Sequence, residues 1–405
     1  MNLILEEAEK IVDWMREIRR DIHRNPELGM QETRTSRLVA DRLRELGFEV
    51  RTGVGGTGVV GLLQGKPGGP TVALRADMDA LTMDDRKTVA YASARPGIAH
   101  TCGHDGHTAM LLGAARLFRR FSKELHGNVK LIFQPSEDTC PGGALPMINE
   151  GALENPKVDG IFSLHVQPSF PEGTVVVRSG YSTISSAGFV LKMIGKGGHV
   201  SRPHEISDPI AMAGMVITNG QTIVSRRVDP LDPTLVTFST VHGGTANNII
   251  PDEAVLTGTI RTLRPEARQR MAELIEDLAA GVARTCGGTY RLDVEMEYPS
   301  VFNHPELVEE FKASASKVAG PDRVIHEPRP SMGGEDVSYF HQRVPGIQWY
   351  LGTANPEKGF THPLHNSLFD FNEDVMALGA AAHVQAAIDF LLNRQTRALG
   401  DWPRG

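Results

Sequence analysis

Near residue 100 the chain reads His100-Thr101-Cys102-Gly103-His104-Asp105-Gly106-His107. Thiolate, imidazole and carboxylate are the side chains that bind Zn²⁺ or Mn²⁺. Cys102 and His104 stand one residue apart and can share a site. His107 suits a packing role, or one behind the ligands, better than ligation. His100 divides evenly between support of the site and a structural loop. Three further clusters follow strand-like runs. Thr71 to Arg75 leads into Asp77-Met78-Asp79, Asn128 to Phe133 into Gln134-Pro135-Ser136-Glu137-Asp138, and Gly160 to Leu164 into His165. Ligands of open α/β sheets bind outside the carboxyl ends of the strands, so clusters at those ends can converge on one cleft.

Cys102, His104, Asp138, His165 and His365 make five candidate ligands, enough for two ions or for one with redundancy. A metal pair lowers the pKa of a shared water and polarises an amide carbonyl. Glu137, beside Asp138, is the candidate general base and then acid for that metal-bound water. Asp77 or Asp79 is expected to orient a ligand imidazole. Each residue also has a plainer reading. Glu137-Asp138 alone would be a solvated turn, His165 a satisfied core histidine and His365 a loop residue. Cys140 and Cys286 read as structural.

The elements that must carry these residues alternate between strand and helix. Val59 to Leu63, Thr71 to Arg75, Asn128 to Phe133 and Gly160 to His165 read as strands, and Thr108 to Phe121 and Ala144 to Asn149 as helices, which predicts an α/β sheet. From Phe189 the order is strand, helix, strand, strand, helix, strand, ending at Met296. Asp208 caps the first of these helices and Pro209 opens it. That order is the ferredoxin-like split arrangement. It predicts an inserted domain over 185–296 within a discontinuous catalytic domain of 1–184 and 297–405. A helix is expected over Glu373 to Leu392, and a loose tail from Arg397 to Gly405.

Composition narrows the classes. The 405 residues exceed what one core usually serves. The net charge of −7 is spread without blocks, which argues against a nucleic-acid surface. Three cysteines are too few for a disulfide framework and fit a reducing compartment. The N-terminus lacks a secretory pattern, and no apolar run reads as a membrane span, so a cytoplasmic location is expected. No GxGxxG after a strand and no P-loop is found.

The runs ALRADMDAL (73–81), HTCGHDGHTAMLLGAA (100–115), FQPSED (133–138), SLHV (163–166), GKGGHVSRPH (195–204), NNIIPD (247–252), GTIRT (258–262), MGGED (332–336) and PLHN (363–366) resemble the hippurate hydrolase and auxin-conjugate hydrolase group. That group is related to aminoacylases and carboxypeptidase G type metallopeptidases. The resemblance spans almost the whole chain in order, and CGHDGHT is its most specific run.

It implies an α/β fold with a zinc-exopeptidase-like catalytic domain and an inserted lid domain that mediates dimers or higher homo-oligomers. It implies Cys102, His104, Asp138, His165 and His365 as ligands of two divalent ions, Cys102 bridging, and Glu137 as base. Zn²⁺ or Mn²⁺ is expected, with Co²⁺ or Ni²⁺ as further candidates. Asp79 matches the carboxylate that orients a ligand or the water. His199 matches a histidine that stabilises the oxyanion, and Asn248 and Arg261 match residues that hold the substrate, Arg261 by bidentate pairing with a carboxylate. His199 also reads as a turn cap, Asn248 as a turn residue and Arg261 as a solvent-facing ion-pair former.

The implied reaction is hydrolysis of the amide bond of small N-acyl amino acids. The alternatives are a dipeptidase or carboxypeptidase acting on free peptides, and a catalytically silent ligand-binding relative. Two departures stand out. The family has two glutamates where this chain has Glu137-Asp138, and aspartate is one methylene shorter. ALTMDD (80–85) replaces a proline-containing form.

Overall fold

The computed structural model describes residues 2–122 and 125–400. The chain divides into two compact units. The first comprises residues 1–182, 301–329 and 335–405, and the second 183–300 and 330–334.

In chain order the first unit begins with helices α1 (Leu3–Glu9), α2 (Val12–Arg24) and α3 (Thr33–Glu45). Strands β1 (Glu49–Val54), β2 (Gly58–Leu63) and β3 (Thr71–Asp77) follow, then α4 (His104–Arg120), β4 (Asn128–Gln134) and α5 (Ala144–Asn149). Next come β5 (Gly160–Pro171) and β6 (Val175–Val177). The second unit holds β7 (Ser185–Ile194), α6 (Pro209–Arg227), β8 (Thr234–Gly243), β9 (Glu253–Thr262), α7 (Pro265–Thr285) and β10 (Thr289–Met296). The chain then returns to the first unit with α8 (Pro305–Ala319), β11 (Val324–His326), α9 (Val337–His341), β12 (Gly346–Ala354) and α10 (Met376–Gly400).

The first unit is built on an eight-stranded sheet in the order β1-β2-β4-β3-β5-β12-β6-β11. β4, β3, β5 and β12 run parallel, so their carboxyl ends share one edge. β3 and β4 are buried along almost their whole length, and β5 over its first seven residues, as continuous apolar runs require when both faces are covered. α2 shows how the covering is specified. Met15, Ile18 and Ile22 recur at helical spacing and form its buried face, packed on α4. Full burial of each such side chain contributes about 1.5–3 kcal/mol.

α10 is mostly apolar and mostly buried from Met376 to Leu391. It contains a segment long and apolar enough to cross a membrane, although no such run was expected, and 83% of that window lies inside the unit. A 3-10 turn, Glu373–Val375, precedes it where the helix was expected to start, and it continues to Gly400 through the start of the expected tail. Asp401–Gly405 lie outside the described residues.

The second unit carries a four-stranded antiparallel sheet in the order β8-β9-β7-β10, with α6 and α7 packed on it. This is the ferredoxin-like β-α-β-β-α-β topology. Asp208 caps α6 by accepting the N–H groups of Ile210 and Ala211, with Pro209 at the first position. Pro330–Gly334 belongs to this unit. Ser331 bridges to Thr183, and Arg261 donates to the Met332 carbonyl at 2.9 Å.

Candidate metal centre and active site

Register sets the level of the site. Asp77 at the end of β3 pairs with Gln134 at the end of β4. Arg75 pairs with Ser163, the last β5 residue paired to β3, and His165 follows two residues on. His165 is therefore inside β5 rather than at its end, because β12 continues the pairing as far as Pro171. The helix predicted from Thr108 begins four residues earlier. Gly103 turns into it with φ +91°, and a Cβ there would lie 2.4 Å from Val166. Only glycine meets both conditions. His104 and His107 thereby occupy the first turn of α4.

Five donors converge. Cys102 Sγ lies 3.4 Å from His165 Nε2 and 3.3 Å from His365 Nε2. His365 Nε2 is 3.3 Å from Asp138 Oδ1, and His104 Nε2 is 3.8 Å from Asp138 Oδ2. Three sets, Cys102-His104-His165, Cys102-Asp138-His365 and Asp79-His104-Asp138, each place their donor atoms within 4.8 Å of one another. His365 is half exposed on the open side and holds φ +59°, a backbone state rare for a side-chain-bearing residue. Its N–H is fixed to the Thr101 carbonyl at 2.8 Å.

The imidazoles are oriented from behind. His104 Nδ1 is 3.0 Å from the Asp79 carbonyl and 3.1 Å from its Oδ1. His165 Nδ1 donates to the Val166 carbonyl at 2.7 Å. Each ring therefore turns Nε2 toward the cluster. Asp79 Oδ2 also accepts the Asp138 N–H at 3.0 Å, so one carboxylate holds two donor-bearing turns. His107 spends both nitrogens elsewhere: Nδ1 on Asp77 at 2.6 Å, Nε2 accepting from Val166 N–H at 2.9 Å.

The electrostatics suit a cation. Burial works against charge at His104, but Asp77, Cys102 and Asp138 outweigh it and hold the imidazole well above its usual pKa. Burial, then His107, push His165 well below, leaving a neutral ring whose Nε2 lone pair faces Cys102. Burial and the nearby Asp138 raise the Cys102 thiol to about 12. Glu137 is buried, with Oε2 3.8 Å from His104 Nε2. Burial, Glu335 and Asp138 push its carboxyl well above the normal range. His104 Nε2 and Asp138 Oδ2 are buried without a hydrogen-bond partner. Unsatisfied buried donor atoms facing one point, amid surplus negative charge, fit a bound divalent ion.

Other residues stand behind this cluster, and of these sequence reasoning missed Arg75, Arg19 and His23. Arg75, fully buried, donates to Gln134, Asp77 and Asp336 and lies 3.2 Å from Glu335. Arg19 and His23 of α2 both reach Asp105 Oδ2 at 2.7 Å. His100 is buried near His23, its pKa lowered to about 3 by burial. A charged residue inside an apolar run was the available signal: Arg75 interrupts Val72-Ala73-Leu74 and Ala76, and buried arginine is almost always paired.

His199, Asn248 and Arg261 lie in the second unit. His199 pairs with Ile249 across a two-residue ribbon, and Asn248, just before the ribbon, accepts the Val200 N–H through its carbonyl at 3.4 Å. His199 Nδ1 accepts from the Ser201 N–H at 3.2 Å and lies 2.8 Å from its hydroxyl. Arg261 stands on β9 opposite Ser186 and holds the 330–334 segment through Met332. A groove of about 570 Å³ lined by Leu5, Val12, Val318 and Leu378 lies elsewhere on the first unit and contains none of the donors.

An open α/β sheet carrying thiol, imidazole and carboxylate donors beside a buried glutamate defines a metallohydrolase. Residues 73–389 match the model of peptidase family M20/M25/M40. The chain is 42% identical over 390 residues to thermostable carboxypeptidase 2 of Saccharolobus solfataricus, covering 95% of this chain and 97% of that one. It is 38% identical over 393 residues to an IAA-amino acid hydrolase of Arabidopsis thaliana, covering 96% and 88%. The crystal structure of a dinuclear metal binding peptidase from the M20 family of Bacillus subtilis superposes with a TM-score of 0.83 at 30% identity, covering 95% and 99%. The chain belongs to peptidase family M20/M25/M40 and is a metal-dependent hydrolase of amide bonds.

Proposed function

We propose that the protein hydrolyses the amide bond of N-acyl amino acids, with Glu137 moving the proton. The observation that carries this reading is a buried carboxyl, raised above its usual pKa, beside five convergent donors. Cys102, His104, Asp138, His165 and His365 would hold two divalent ions, Zn²⁺ or Mn²⁺ suiting this mixed set of N, O and S donors. Such ions, when bound, polarise the carbonyl and acidify water.

Glu137 takes a proton from the attacking water as its oxygen bonds to the carbonyl carbon. The C–N bond then breaks as Glu137 returns the proton to the leaving nitrogen. Asp79 keeps His104 and the Asp138 turn in register through both steps. His199 is assigned to the oxyanion and Asn248 and Arg261 to holding the substrate, on their motifs, with Arg261 on the amino acid carboxylate by guanidinium–carboxylate pairing. The second unit is assigned as lid and as the surface of a homodimer. Its outer strand β8 is an open edge with Leu235 and Val241 exposed, which supports strand-to-strand pairing between copies.

Carboxypeptidase action on free peptides is the second reading, supported by the 42% identity to a carboxypeptidase. A panel of hippurate, N-acetylmethionine and matched dipeptides, with Mn²⁺, Zn²⁺ or Co²⁺ added, separates the two. N-acyl amino acids should be turned over faster, and a chelator should abolish turnover. Glu137→Gln should bind metal and lose turnover. Near-full rate in that variant would reject the assigned base. Light scattering on the purified protein tests the dimer, which a monomer mass would exclude.

A further inference from the structure

The turn that carries Glu137 and Asp138 is gripped by a segment far away in sequence. Ser136, just before Glu137, holds φ +50°, a backbone state that L side chains rarely adopt. Its N–H donates to Glu32 Oε1 at 2.8 Å. Glu32 is fully buried at the entrance to α3, and its Oε2 accepts the Thr57 hydroxyl. Gly29 closes the other side: a Cβ on it would lie 2.5 Å from Ser136 Oγ and 2.9 Å from Ser136 Cβ. The same segment holds a second turn of the site, because the Glu27 carbonyl accepts the N–H of Ala80, next to Asp79, at 2.8 Å. Gly29 and Glu32 precede residue 73, where the family match begins.

We propose that Glu32 and Gly29 are positioning residues that fix the Ser136 turn and so present Glu137 and Asp138 to the site. The inference rests on the reading of Glu137 as base and Asp138 as ligand. Its physical content is narrow. Glu32 supplies an acceptor for an N–H that an unusual φ would otherwise leave buried without a partner. Gly29 supplies the space into which Ser136 packs. Loss of either lets the turn relax, and both following side chains move with it. Partners behind a metal ligand characteristically change affinity or activity by about 10–100-fold.

The test compares Glu32→Ala, Glu32→Gln and Gly29→Ala with the parent and with Glu137→Gln. Mn²⁺ binding is followed by calorimetry, thermal stability by circular dichroism, and kcat and KM on the best N-acyl amino acid, per metal-loaded molecule. Glu32→Ala should weaken at least one Mn²⁺ equivalent about tenfold or more and lower kcat similarly, with KM little changed. Glu32→Gln retains an acceptor oxygen and should recover both to within about threefold of the parent. Gly29→Ala should lower kcat with KM retained.

A folded Glu32→Ala with parental Mn²⁺ affinity and kcat would overturn the proposal, as would Glu32→Gln losing as much as Glu32→Ala. Should Glu32→Ala not fold, Gly29→Ala decides, and parental values there overturn it. If Glu137→Gln stays active, the assignment of the base fails instead, and the Mn²⁺ affinities still judge the brace through Asp138.

Discussion

Arg75→Met is the substitution whose outcome the structure specifies most fully. The guanidinium is fully buried, within 2.8 Å of Asp77, 3.1 Å of Asp336 and 3.2 Å of Glu335. At about 3 Å and an effective dielectric of about 20, each pair is worth roughly 5 kcal/mol gross. Desolvation of the four ions consumes most of that total. Removing one member of a buried network costs about 3–5 kcal/mol, because the partners are left charged and unpaired. At roughly 2–4 °C per kcal/mol for a large unit, the midpoint should fall by about 6–20 °C.

Differential scanning calorimetry in a chelator is the assay, since bound metal would add its own stabilisation. The loss should depend on pH. Burial, offset by Arg75 and reinforced by Glu335, already puts Asp336 at about 7. Without Arg75 the folded Asp336 carboxyl rises further above its unfolded value, so at this group the native state binds more protons than the unfolded one. Stability of the variant, relative to the parent, must then fall as pH rises from about 5 to 8. Arg75→Lys keeps one charge but cannot meet three carboxylates, and should fall between. A midpoint change under about 2 °C, or a loss independent of pH, would refute the reasoning.

If Cys102 is a ligand, as proposed, metal binding should release at least one proton, because burial holds its thiol at about 12 and ligation requires the thiolate. Calorimetry in buffers of different ionisation enthalpy measures it, and affinity should rise with pH between about 6 and 8. His383 is buried with its pKa lowered to about 3, so between that value and about 6.5 only the unfolded state takes its proton. Its contribution makes stability fall as pH drops through that window, by about 1.4 kcal/mol per unit, and His383→Leu should flatten the measured slope by that amount. Gly106→Ala would place a Cβ 2.5 Å from Phe371 Cζ, and a loss of about 1–3 kcal/mol in chemical unfolding is expected.

The candidate donors were legible because metal chemistry restricts residue types and because α/β sheets place ligands toward the carboxyl ends of their strands. Alternation also revealed the split β-α-β-β-α-β order of the second unit. What sequence did not reveal has a common cause. The start of α4 at His104 depends on Gly103 meeting Val166, a contact 63 residues away in the chain, so local periodicity misplaced it at Thr108. His165 sits within β5 because of pairing with β12, which no local pattern encodes. Arg19, His23 and Glu32 lie on an ordinary amphipathic stretch, and their importance comes from Asp105 and Ser136, which the fold brings to them. Polar residues that support a site carry no spacing rule of their own.

The position of β12 constrains the order in which the molecule can be made. It lies between β5 and β6 in the sheet, yet it comes from residues 346–354, after the whole second unit. A nascent chain can complete β7 to β10 as they leave the ribosome, since every strand of that sheet is contiguous in synthesis. The larger sheet must wait with β5 unpaired on one side until Gly346–Ala354 arrives. During that interval the unpaired edge of β5 is open to pairing with another chain.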